Sequence, residues 1–82
     1  MKNIYVYDGV NLENFLEVKY IFRLYSATNN QDIISRLIKC VYGEKDRDGL
    51  IQDVFVCSVP EDKVNHLQQH LNKFGVETRI GK

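Results

Sequence analysis

Tryptophan is absent from this 82-residue chain, proline occurs once and cysteine twice. A disulfide framework in a small domain uses more cysteines than that. We therefore read Cys40 and Cys57 as reduced core residues of a cytoplasmic protein. Net charge is missing too, because eleven Lys and Arg balance eleven Asp and Glu. Neither half is a basic arm or an acidic tail. Duplex binding draws its affinity from neutralised phosphates and needs a local excess of cations, so a dedicated DNA-binding role is not expected. The longest run of aliphatic and phenylalanine side chains is Val54-Phe55-Val56, which offers nothing to span a membrane. The start, Met1-Lys2-Asn3-Ile4-Tyr5, enters an alternating pattern at once, without the basic-then-apolar order of a secretory signal. The glycines, at 9, 43, 49, 75 and 81, are scattered terminators rather than a phosphate-cradling loop.

Apolar side chains are not scarce. Ile, Leu, Val and Phe contribute 27 residues at zero net charge, which excludes a disordered chain. The length admits one domain, residues 1–82. A chain of this size buries only about 60–65% of its extended surface, so a deep substrate cleft would compete with the core.

Ile4 and Val6 alternate with Tyr5 and Tyr7, a strand closed by the turn dipeptide Asp8-Gly9. Asn11 can cap a short helical turn through Leu16. Val18, Tyr20, Phe22 and Leu24 then alternate with Lys19, Ile21, Arg23 and Tyr25, and β-branched and aromatic residues dominate, so a second strand is expected there. A helix over the same residues would carry apolar groups around its whole circumference, more than a small domain can cover. Thr28-Asn29-Asn30 supplies capping side chains for a helix on which Ile33, Ile34, Leu37, Ile38 and Val41 share one side, and Gly43 supplies its stop. Leu50 to Val59 reads as a central strand, with Phe55, Cys57 and Val59 on one face and Val54 and Val56 on the other. Pro60 fits the first turn of a second helix with Val64, Leu67, Leu71 and Phe74 as its buried stripe. Gly75 ends it, and Val76 to Ile80 forms a last strand.

The expected fold is α+β: a two-layer open sandwich, with a four-stranded mixed sheet and two helices on one face, in the order β-β-α-β-α-β. The alternative makes Lys39–Lys45 a strand and gives a ferredoxin-like core.

Few motifs carry chemistry. Glu44-Lys45-Asp46-Arg47-Asp48-Gly49-Leu50-Ile51 resembles the start of a calcium-binding EF-hand loop, but Phe55 stands where the bidentate Glu belongs. A charged turn is the expectation. Asp62, His66 and His70 follow one another at four-residue spacing and are weak metal-ligand candidates. On a helical wheel His66 lies about 120° and His70 about 80° from the apolar stripe, so solvated or edge-packing histidines are expected and no metal or cofactor is assigned. Ser26, Ser35 and Ser58 have no base nearby in sequence and no strained nucleophile turn, and burial would make the cysteines inert. The chain is not expected to be an enzyme.

The aromatic alternation is the most informative feature. With the first two segments as strands, Tyr5, Tyr7, Ile21, Arg23 and Tyr25 fall together on an open sheet face rich in residue types that dominate binding hot spots. The expectation is a small non-enzymatic accessory, adaptor or inhibitor protein that binds another protein, or itself as a homodimer. The contact is that face or a strand edge, Val76–Ile80 or Asn3–Asp8. Two alternatives are a small-ligand regulatory domain, with Asn29 and Asn30 offering polar contacts at a helix start, and a stacking platform for single-stranded RNA.

Overall fold

The computed structural model describes residues 1–42 and 53–81. The first strand, β1 (Lys2–Asp8), forms where period-two alternation predicts it, with Ile4 and Val6 buried and Tyr5 turned to the other face. Gly9 follows at φ 98°, in the left-handed region. Asn11 and Asn14 then cap each other's backbone: Asn14 N–H donates to Asn11 Oδ1 (3.0 Å) and Asn11 N–H to Asn14 Oδ1 (2.9 Å). This reciprocal pair opens helix α1 (Phe15–Tyr25).

The segment expected as a second strand is therefore a helix. Val18, Ile21 and Phe22 stand three and four apart, so a helical backbone turns all three into the core. A helix stands here although Leu16, Tyr20 and Leu24 stay uncovered, because an apolar side chain need not be covered. Folded proteins leave much apolar surface in water.

Helix α2 (Asn30–Tyr42) is the one expected from its spacing, with Ile33 and Leu37 buried. Asn29 caps it: Asp32 N–H donates to Asn29 Oδ1 (2.9 Å), and Asn29 Nδ2 donates back to Asp32 Oδ2 (2.8 Å). Because α2 continues to Tyr42, residues 39–42 are not the strand that the ferredoxin-like alternative requires. Strand β2 (Val54–Val59) comes next, then Pro60, a 3-10 turn over Glu61–Lys63 and helix α3 (Val64–Asn72) with Val64, Leu67 and Leu71 buried. Phe74 lies beyond the helix end and is exposed, so it is not part of that stripe. Gly75 (φ 78°) stops α3: its N–H donates to Asn72 O (3.0 Å) and Val76 N–H to Leu71 O (3.1 Å), a Schellman motif anchored by buried Val76. Strand β3 (Glu77–Gly81) completes the described fold.

Among the described residues the sheet has three strands, in the order β2-β1-β3, and both pairings are antiparallel. The expected four-stranded mixed sheet is corrected on two counts. Its second strand is α1, and β2, expected at the centre, lies at an edge. The central strand is β1. A β-bulge explains the apolar density of β2. Ile4 pairs with Cys57 but Tyr5 pairs with Phe55, which leaves Val56 as the extra residue. Val56 and Cys57 are consequently both buried, rather than divided between faces, while Phe55 joins Tyr5 on the side away from the core. The core gathers Ile4 and Val6 of β1 with Phe22, Ile33, Leu37, Leu67 and Leu71 of the helices. Val18 and Ile21 of α1 join it, and α1 packs against both α2 and α3.

Two turns meet backbone to backbone. A Cβ added at Gly9 would lie 2.0 Å from the carbonyl oxygen of Gly75, whereas one added at Gly75 would meet nothing within 4 Å. Gly75→Ala therefore carries only the left-handed penalty, about 1 kcal/mol. Gly9→Ala adds a clash with main chain that cannot swing aside and is expected to cost more than about 2 kcal/mol. Urea unfolding of the two variants checks the order.

Candidate interaction surfaces

The five residues expected on one open sheet face are not brought together. Tyr5 and Tyr7 lie on β1, while Ile21, Arg23 and Tyr25 lie on α1. Ile21 is 2% exposed and belongs to the core. Tyr25 packs against the core, and its hydroxyl lies 3.5 Å from His70 Nδ1 with the two rings edge to face. Arg23 is exposed in the last turn of α1.

The sheet face away from the core carries a different ladder. The guanidinium of Arg79 stands 4.4 Å over the Tyr5 ring, and Tyr5 packs tilted against Phe55 at 5.6 Å. Arg36 reaches from α2 to lie 4.7 Å over Phe55 while donating Nη1–H to Val56 O (3.1 Å). Arg79 also pairs with Asp53. Each ring thus already has a cation against it, an arrangement worth roughly 0.5–1 kcal/mol per contact at an exposed site.

Among the described residues, a run of exposed apolar side chains lies on the opposite layer. Leu12, Leu16, Tyr20 and Leu24 recur every four residues and are 69%, 67%, 60% and 51% exposed. Leu16, Tyr20 and Leu24 form a stripe on α1 roughly opposite Val18 and Phe22. An open groove lined by Val10, Asn11, Leu12, Glu13, Val41 and Tyr42 lies between the segment before α1 and the end of α2, where Ile38 is exposed as well. Sequence reasoning missed the stripe, although the i, i+4 spacing that reveals it is written in residues 12–24.

The two strand edges differ. On β2, Ser58 N–H donates to Thr28 Oγ1 (3.0 Å), and Ser58 O accepts from Ala27 N–H (3.3 Å) and Ser26 Oγ (3.3 Å). Together with Arg36 on Val56 O, these bonds cap that edge. The outer edge of β3 has no main-chain partner among the described residues. Of the two edges expected to be available, Asn3–Asp8 is central and β3 is the one that is open.

Other candidates sit as follows. Asp62 lies in the exposed turn before α3 and His66 is exposed, while His70 is half-buried between Tyr25 and Phe74. Among the described residues, no three His, Cys, Asp or Glu side chains gather to hold a metal ion. Residues 44–52 of the calcium-loop resemblance lie outside the described residues. At the start of α2 the Asp32 carboxylate already sits on Asn29, so an anionic ligand would meet a negative charge there. The hydroxyls of Ser26 and Ser58 serve backbone and Asn3 contacts.

Burial pushes the Cys40 thiol up to about 11. Cys57 rises to about 11 as well, because its burial outweighs the Ser26 contact and the Arg36 charge. Both thiols are free. They are expected to resist alkylation at neutral pH in the folded protein and to react once urea unfolds it. The unfolded chain releases these protons at lower pH than the folded one, so their contribution to stability is intact below about 9 and falls as pH rises towards about 11. Unfolding midpoints across that window, compared with a Cys40→Ala/Cys57→Ala variant that lacks the slope, check the sign. No family model matches this chain, and neither the curated proteins nor the solved structures include a match to it.

Proposed function

We propose that this chain is a non-enzymatic binding module that docks an amphipathic helix of another protein on the outward stripe of α1. The observation that carries this is the exposure of Leu16, Tyr20 and Leu24 on one side of a helix whose other side buries Val18, Ile21 and Phe22. Leucine and tyrosine at four-residue spacing form a ridge about 12 Å long from Leu16 to Leu24, the length over which a partner helix can seat its own apolar side chains. Covering such side chains stabilises a complex by about 1.5–3 kcal/mol each before the costs of association. The groove beside Leu12 and the exposed Ile38 widen the ridge towards α2.

This moves the contact from the sheet to the helical layer. The arginines over Tyr5 and Phe55 already occupy the ring faces that a stacking base or a partner's aromatic group would use, which weighs against an RNA platform as well. Burial of the thiols and the structural roles of Ser26 and Ser58 support binding rather than nucleophilic chemistry.

The double variant Leu16→Glu/Leu24→Lys tests the stripe. It places an anion in the first turn and a cation in the last, where the helix dipole tolerates them, so stability should change by less than about 0.5 kcal/mol. A photo-crosslinking residue at position 20 is expected to capture a protein that the same residue at position 7 does not. The purified partner should then bind the double variant at least about 100-fold more weakly. Capture through position 7 alone, or unchanged affinity, would remove the stripe as the site.

A further inference from the structure

We infer that β3 pairs with the β3 of a second copy, antiparallel and centred on Thr78, joining two three-stranded sheets into one of six. This surface is separate from the α1 stripe, and the inference does not rest on it.

Four observations lead there. First, the two edges of the sheet are treated differently. On β2, Thr28, Ala27, Ser26 and Arg36 bond the outward backbone groups, whereas β3 presents its row with no main-chain partner among the described residues. An uncovered edge is a template for another strand. Second, Ile80 of this edge is 42% exposed although it lies on the core side of the sheet, opposite Ile4.

Third, the charges of β3 select the occupant. Side chains opposite one another in an antiparallel pair share a face, so a symmetric pair is centred on a single residue. Centred on Glu77, it sets carboxylate against carboxylate. Centred on Arg79, it sets guanidinium against guanidinium. Centred on Thr78, it puts Glu77 of each copy opposite Arg79 of the other and Ile80 opposite Val76. Opposite charges directly across a ladder stabilise it and like charges oppose it. The Glu-Thr-Arg order is therefore complementary to itself in one register.

Fourth, Glu77 is badly placed in a single copy. Its partner across the β1–β3 ladder is Asp8, and neither carboxylate has a cation partner among the described residues. Arg79 of a second copy would bring a guanidinium to that pair. In its own chain the guanidinium lies over Tyr5 with Nε–H on Asp53, so the pairing turns its remaining donors outward from the sheet. Charges on an edge strand ordinarily blunt it against pairing. Here their alternation restricts the pairing to one partner and one register.

In this register Glu77–Arg79 of each copy pair strand to strand, with Ile80 reaching past Val76 just before β3. So short an edge buries less than a standard interface, and the association is expected to be reversible and in the micromolar range. Sedimentation velocity across that range should show a monomer–dimer equilibrium, and amides of β3 should gain hydrogen-exchange protection at the higher concentrations. Glu77→Arg, at an exposed side chain, should weaken the dimer at least about tenfold. The exchange Glu77→Arg/Arg79→Glu should bind more tightly than Glu77→Arg alone, since it restores opposite charges in the same register, although it gives up the Arg79 contacts to Tyr5 and Asp53 within each chain. Leu16→Glu/Leu24→Lys should leave the dimer intact, which separates this surface from the helical stripe. A wild-type monomer throughout, a dimer indifferent to Glu77→Arg, or a dimer without new protection in β3 would each overturn the inference. Loss of the dimer in the Leu16/Leu24 variant would overturn it in favour of α1.

Discussion

The fold depends on β1 being hydrogen-bonded along both sides. Its seven residues carry both ladders of the sheet, and its alternation decides which side of that sheet is core. Ile4 and Val6 point to the helices, and every helix contributes a buried residue to the cluster around them. Tyr5 points the other way and becomes the middle of a ladder that crosses all three strands, from Arg79 through Tyr5 to Phe55, with Arg36 of α2 closing it. A slip of one residue in β1 would exchange the two sets, so hydrophobic burial on one side and cation–aromatic stacking on the other specify the same register.

What was legible in the sequence was local. The cap at Asn29, the apolar side of α2, the Pro60 start and Gly75 stop around α3, and the alternation of β1 and β3 all depend on residues within a few positions of one another. Strand order was not legible, because it depends on which distant segments pair. The bulge at Val56 was hidden for the same reason: an extra residue exists only relative to the partner strand. The error at 18–25 was of another kind. Apolar residues there fit period two and also fit the helical spacing of Val18, Ile21 and Phe22, and the choice was made on whether a small domain can cover all of them. It does not cover them. Leu16, Tyr20 and Leu24 remain in water, and the residues that misled the secondary-structure assignment are the ones that define the candidate surface.

The shared face expected for Tyr5, Tyr7, Ile21, Arg23 and Tyr25 depends on reading residues 18–25 as a strand. Tyr5 and Tyr7 were placed on the correct strand, but Ile21, Arg23 and Tyr25 followed the misassigned segment onto a different layer. The arginines and the second ring on that face are Arg79, Arg36 and Phe55, none of them among the residues expected there. No spacing rule links positions 5, 36, 55 and 79; the folded topology alone makes them neighbours.

The contact between Gly9 and Gly75 bears on how the chain folds. The turn after the first strand and the turn before the last touch main chain to main chain, and Asn14, beside the first turn, bonds across sixty residues to Phe74 O (3.4 Å). Neither turn can reach its final position until a loop of nearly the whole chain has closed. Helices α2 and α3 have local caps and can form early, but β3 docks on β1 from the far end of the sequence. The sheet is therefore complete only when two distant segments, β2 and β3, have both reached β1, and closures over such separations slow folding.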